Sequence, residues 1–228
     1  MHQTCVRGPP DPKQPQSFNR PTFTMKTLRA NLSGRRAFTL VEMIGVMSIV
    51  AILASLVVPR IIHATGQARV NSTTVSFNTL RTASMSYYGK YGRFGGVGGT
   101  ALDVSSPYDD WDTRVLLAEG MIEKPFIPLL GVSHVVRAVA STSAAVNATN
   151  SAYSLDGASA NSTSTGTVIL EVWLRSVDLE DARDLNQRLD GQLLGEASGL
   201  PGQDLKGRLK YDFSGGQTGD VHLYLTHK

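Results

Sequence analysis

The sequence predicts an α+β protein in which a long N-terminal helix, its first half transmembrane, packs on a small C-terminal antiparallel sheet. Three observations lead there. Residues 38–58 form one apolar run, apolar side chains then recur at helical spacing to about Tyr88, and from Thr167 onward they alternate with polar ones at the period of a strand.

The run FTLVEMIGVMSIVAILASLVV is 21 residues long, enough for a helix to cross a hydrocarbon core of about 30 Å. Its one ionisable side chain is Glu42. A carboxylate at the centre of a membrane helix costs roughly 2.5–3.5 kcal/mol, so one that is present either has a partner and a purpose or snorkels to the headgroups. Arg35 and Arg36 precede the run and Pro59 and Arg60 close it, which puts the basic end in the cytoplasm and everything after Arg60 outside.

The whole chain carries a formal charge of +3. Seven basic residues and one acidic residue precede Phe38, so the part from Phe38 onward carries −3. The basic balance belongs to the leader, and no nucleic-acid partner is expected. Residues 1–24 are rich in Pro and Gln, whereas Met25-Lys26-Thr27-Leu28-Arg29 begins a compact basic leader. Translation is expected to start at Met25, and residues 1–37 are set apart from the fold as a leader. The sole cysteine, Cys5, falls in that leader, so the rest of the chain forms no internal disulfide. An ordinary secretory signal would have an apolar core of about 7–15 residues; this run is longer and carries an acid near its start.

The string Arg36-Ala37-Phe38-Thr39-Leu40-Val41-Glu42, followed by the apolar run and then Pro59, resembles the prepilin signal of type IV pilins and type II secretion pseudopilins. The resemblance implies cleavage of the Ala37–Phe38 bond by a prepilin peptidase, N-methylation of Phe38, and a role for Glu42 in subunit assembly through the N-terminal amine of its neighbour. It implies further partners: copies of the chain or related pilin-like subunits, an inner-membrane assembly platform, and membrane lipid. The expected location is the inner membrane, single pass, with the C-terminal domain periplasmic and assembled into a periplasmic or cell-surface filament. One position departs from the pattern, since the family strongly prefers Gly where Ala37 stands.

The domain reading is a transmembrane helix at 38–58, an extramembrane continuation at 59–90, and a globular domain at 91–228. Pro59 removes a helical hydrogen bond and is expected to bend the helix, with Gly66 a second soft point. Beyond it, Val70, Phe77, Leu80, Tyr87 and Tyr88 share one arc and form the packing face. Gly89 to Phe94 ends the helix, and Gly95 to Gly99 reads as a flexible exit loop, since it lacks the Lys-Ser/Thr of a phosphate cradle. Asp109, Asp110 and Asp112 stand before a short apolar helix stopped by Gly120, where they cap it; a calcium site is the sharper alternative, without an EF-hand spacing to support it. Residues 138–166, rich in Ala, Ser, Thr and Asn, read as an exposed loop or edge hairpin.

The strand from Thr167 puts Val168, Leu170, Val172 and Leu174 on one apolar face. A short helix follows, with Asp178 as N-cap, Leu179, Ala182, Leu185 and Leu189 as its buried stripe, and Gly191 as its end. Leu209, Tyr211 and Phe213, a Gly-rich turn, and Val221, Leu223 and Leu225 make a closing antiparallel hairpin.

Catalytic patterns are missing. His63, His134, His222 and His227 form no HExxH or Cys-His cluster, and there is no nucleophile elbow or dinucleotide fingerprint, so neither an enzyme nor a cofactor is expected. The function expected is that of a structural subunit polymerising through its apolar helix into a type II secretion pseudopilus or type IV pilus. The rival is a membrane-anchored periplasmic binding domain that does not polymerise.

Overall fold

A computed structural model describes residues 38–163, 166–194 and 202–227. The leader, including Ala37 and the proposed start at Met25, lies outside the described residues. The chain divides into two compact units, Met1–Ser48 and Ile49–Lys228. In the first, the described residues are the start of helix α1, Leu40–Tyr91.

In the second unit α1 continues through Pro59 without a break in its helical assignment and ends at Tyr91, three residues beyond the expected end. Its first apolar stretch is bare: the large apolar residues from Ile49 to Ile62 are all exposed. The hydroxyls of Ser55 and Thr65 donate back to the carbonyls of Ile52 and Ile61, as Ser and Thr do inside helices. From Val70 the helix acquires a buried side. Val70, Thr73, Phe77, Leu80, Ala83, Ser84 and Tyr87 are buried, and Tyr88 packs partly buried against the same core. The expected face is the one used, with small Thr, Ala and Ser filling the gaps between its large residues.

That face lies on a five-stranded antiparallel sheet of order β1-β2-β5-β4-β3. The strands are β1 Ser133–Ala140, β2 Val168–Asp178, β3 Gln203–Asp204, β4 Leu209–Asp212 and β5 Thr218–His227. Register places Val136, Val172 and Leu223 across from one another, with Leu170, Leu174, Leu209, Tyr211 and Val221 on the same core-facing side. Helix α2, Leu179–Leu189, closes the core with Ala182 and Leu185 fully buried and Leu179 and Leu189 partly so. Asp178 is its N-cap residue but makes no side-chain cap hydrogen bond. The chain leaves it at Asp190 and turns at Gly191, whose φ of 72° suits glycine. This is the α+β arrangement expected: a long N-terminal apolar helix packed on an antiparallel sheet.

Three local expectations are corrected. Residues 95–99 are not a flexible exit. Gly95 and Gly96 are buried, the Trp111 indole donates to the Gly95 carbonyl at 2.9 Å, the Tyr87 hydroxyl donates to that of Gly96, and the Gly98 N–H reaches Glu119 at 2.6 Å. Glycine is needed at 99 because a Cβ there would lie 2.6 Å from the Tyr91 ring. The acidic cluster does not cap a helix by its side chains either. The segment Asp112–Leu117 is a π-helical turn without a side-chain cap bond, and the buried Asp112 carboxylate instead accepts the Phe126 N–H at 2.9 Å.

Residues 138–166 are not simply exposed. The first three belong to β1, and the following loop folds over the far face of the sheet, where Ala152 and Tyr153 are fully buried. That far face is polar yet covered: Arg137 and Glu171 form an ion pair at 2.6 Å, and the Tyr153 hydroxyl donates to the other oxygen of Glu171 at 2.5 Å.

Candidate processing and assembly site

The residues singled out in the sequence at the head of the apolar run are Ala37, Phe38 and Glu42. Phe38 is 75% exposed, and Thr39 follows it immediately before the first helical residue, Leu40. Thr39 is where the backbone turns into the helix, since its carbonyl accepts the N–H of Met43 at 3.2 Å. Its hydroxyl accepts the Glu42 N–H at 3.2 Å, while Glu42 Oε2 accepts both the Thr39 N–H and the Thr39 hydroxyl at 3.0 Å. This is a capping box, in which the first and fourth residues of Thr-x-x-Glu satisfy each other's stray backbone donors. The signal was present in the sequence as Thr39-Leu40-Val41-Glu42 and was not used there.

The cap defines what Glu42 can still do. Both of its accepted bonds fall on Oε2, and Oε1 has no partner among the described residues. The carboxylate also complements the positive end of the helix. One oxygen thus holds the helix start while the other remains available to a cation brought alongside. Neither the pairing with a neighbour nor snorkelling is needed for Glu42 to be held in place.

The surrounding surface is uniformly apolar. Leu40, Val41, Met43, Ile44, Val46 and Met47 are exposed to between 45 and 77%. Ser48 interrupts them, but its hydroxyl donates to the Ile44 carbonyl at 2.8 Å. Helix α1 is long and apolar enough to cross a membrane, and its most apolar window has no buried residue. A core helix of a soluble domain would bury that window against its own chain.

Elsewhere, groups of three or more metal-ligating side chains are absent among the described residues. The carboxylates of the calcium alternative do not converge: Asp112 is turned inward to Phe126 N–H, while Asp109 and Asp110 are exposed. Burial raises the Asp112 carboxyl above its ordinary range, opposed by that backbone hydrogen bond. Of the four histidines after Phe38, His222 is buried and its imidazole is pushed down to about 3, first by burial and then by the nearby Lys210 and Arg137 charges. His63 lies exposed on α1 and His134 on β1 packs edge-on against Phe126, so the four do not form a cluster.

No curated protein and no solved structure matches the chain. One family model does, over residues 32–58, described as the prokaryotic N-terminal methylation motif. With its capped Thr-x-x-Glu start and bare apolar helix on that segment, the chain carries the prepilin-type signal of type IV pilins and pseudopilins.

Proposed function

We propose that the protein is a structural subunit, cut between Ala37 and Phe38 and methylated on the new Phe38 amine. It then polymerises through its apolar helix into a type II secretion pseudopilus or a type IV pilus. The observation that carries this reading is the methylation motif at residues 32–58 standing on a helix whose apolar surface has no partner in its own chain. Before assembly, lipid covers that surface at 38–58; after assembly, the same helix of other subunits does. The helix continues outside the membrane over 59–90, with a bend at Pro59, and residues 91–228 form the periplasmic globular domain.

Glu42 sets the register. Its Oε2 caps its own helix, and its Oε1 accepts the methylated amine of an adjacent subunit, so two charges are neutralised together in surroundings that penalise either alone. The processing partner is a prepilin peptidase, and the assembling partner is an inner-membrane platform.

Glu42→Ala tests the reading. The expected result is a processed protein that still enters the membrane but is no longer incorporated into filaments. Undiminished incorporation of the variant sinks the assembly role of Glu42, and a wild-type chain that enters no filament favours an anchored binding domain that stays monomeric.

A further inference from the structure

The covered face of the sheet holds a buried amine that has no carboxylate within ion-pair distance among the described residues. Lys210 on β4 is fully buried, and neither ion pair found among the described residues, Lys90–Glu119 and Arg137–Glu171, includes it. Its Nζ lies 4.4 Å from the centre of the Tyr153 ring and donates to the backbone carbonyls of Asn150 and, at 3.0 Å, Ala152. It also lies 3.3 Å from the side-chain Oδ1 of Asn150.

The amide of Asn150 is held as firmly as the amine that faces it. Its Oδ1 accepts the backbone N–H groups of Ala152 at 3.1 Å and Asn147 at 3.3 Å, and its Nδ2 donates to the Ala145 carbonyl at 2.7 Å. Two backbone donors on a carbonyl oxygen, with an amine 3.3 Å from that oxygen, are the parts an acyl transfer needs: polarisation of the carbonyl, a home for the oxyanion, and a nucleophile beside the amide.

We propose that Lys210 and Asn150 condense into an intramolecular isopeptide bond. The free-base Nζ of Lys210 attacks Cγ of Asn150. Negative charge then gathers on Oδ1 under the Ala152 and Asn147 N–H groups. A proton passes from the attacking nitrogen to Nδ2, the Cγ–Nδ2 bond breaks, and ammonia leaves. One C–N bond forms and one breaks, so the exchange needs neither oxidant nor cofactor.

The surroundings favour the step. Burial pushes the Lys210 amine down to about 8, with the Arg137 charge adding to the shift and Glu171 opposing it. At neutral pH about a tenth of it is therefore the nucleophilic free base, against a far smaller fraction for an exposed lysine. The product replaces a buried cation by a neutral amide, and the desolvation cost of the charge disappears. It would also tie the loop that follows β1 to β4 in a chain whose sole cysteine is Cys5.

Mass spectrometry of the full-length processed protein, extracted from membranes, decides the matter. The expected mass is about 17 Da below the sum of its residues and its N-terminal modification, the mass of one ammonia. Proteolysis should yield a branched peptide joining Asn150 to Lys210. Lys210→Arg and Asn150→Ala should each restore the full mass. Wild-type protein at full mass, with the Lys210 peptide recovered unbranched, overturns the proposal even if neither variant folds. A 17 Da deficit that survives in Lys210→Arg overturns it equally.

Discussion

Glu171 occupies a position that period-two alternation assigns to the solvent side of β2, and it is fully buried. It is held there by Arg137 on the neighbouring strand and by the Tyr153 hydroxyl from the covering loop. Removing one member of such a pair leaves the other charged and desolvated. Arg137→Met is therefore expected to lower the unfolding free energy by about 3–5 kcal/mol, measured by denaturant melting of the globular domain within the full chain. His222 gives a pH signature. Its imidazole is ordinary at 6.5 and pushed down to about 3 in the fold, so the unfolded chain binds the extra proton between those values. Stability is complete above pH 6.5 and falls progressively as pH drops toward 3. A His222→Gln variant should flatten that part of the pH–stability curve; an unchanged slope would mean that another group titrates there. These residues were invisible in the sequence because alternation assigns a strand's two faces but cannot show that a distant loop covers the polar one.

At the scale of elements, the second half of α1 is organised by a few large side chains. Phe77→Ala is expected to cost about 3–5 kcal/mol, while Val75→Ala, two residues away and 66% exposed, should stay within about 0.5 kcal/mol. Equal losses at the two positions would contradict the packing face. The exit from this helix is fastened by Glu119, which meets Lys90 at 2.9 Å, Tyr91 at 2.5 Å and the Gly98 N–H. The Tyr91 hydroxyl, the Gly98 N–H and Lys90 hold its carboxyl down at about 2 from an ordinary 4.5. The contribution is present above pH 4.5 and lost as pH falls through 2. Amide hydrogen exchange at Gly98 should accordingly quicken, relative to the core strands, in Glu119→Gln at neutral pH.

The packing face of α1, the stripe of α2 and the β4–β5 hairpin were legible because each buries one side at its own period. Strand β1 was not, since His134 stands on its core-facing side while Val135 and Val139 stand on the other, which is sheltered by the loop that follows it. Strand β3 is two residues long and offers no period to read.

For the whole molecule, the readable part is the signal at residues 32–58, because its parts are consecutive in sequence. The cap that Thr39 adds to Glu42 was equally local and could have been found there. Processing provides the corresponding test: protein recovered from cells containing a prepilin peptidase should begin at Phe38 with a methylated amine. A mature chain beginning at Met25 or Met1 would remove the proposed function without touching the Lys210–Asn150 bond.

Strand β5 lies between β2 and β4, although it follows all the others in chain order. The pairs β1–β2 and β3–β4 form without it, so the sheet stays in two pieces until the final stretch of chain enters between them. Until then β2 and β4 each present an open edge of the kind on which sister chains pair, and β5 closes both at once.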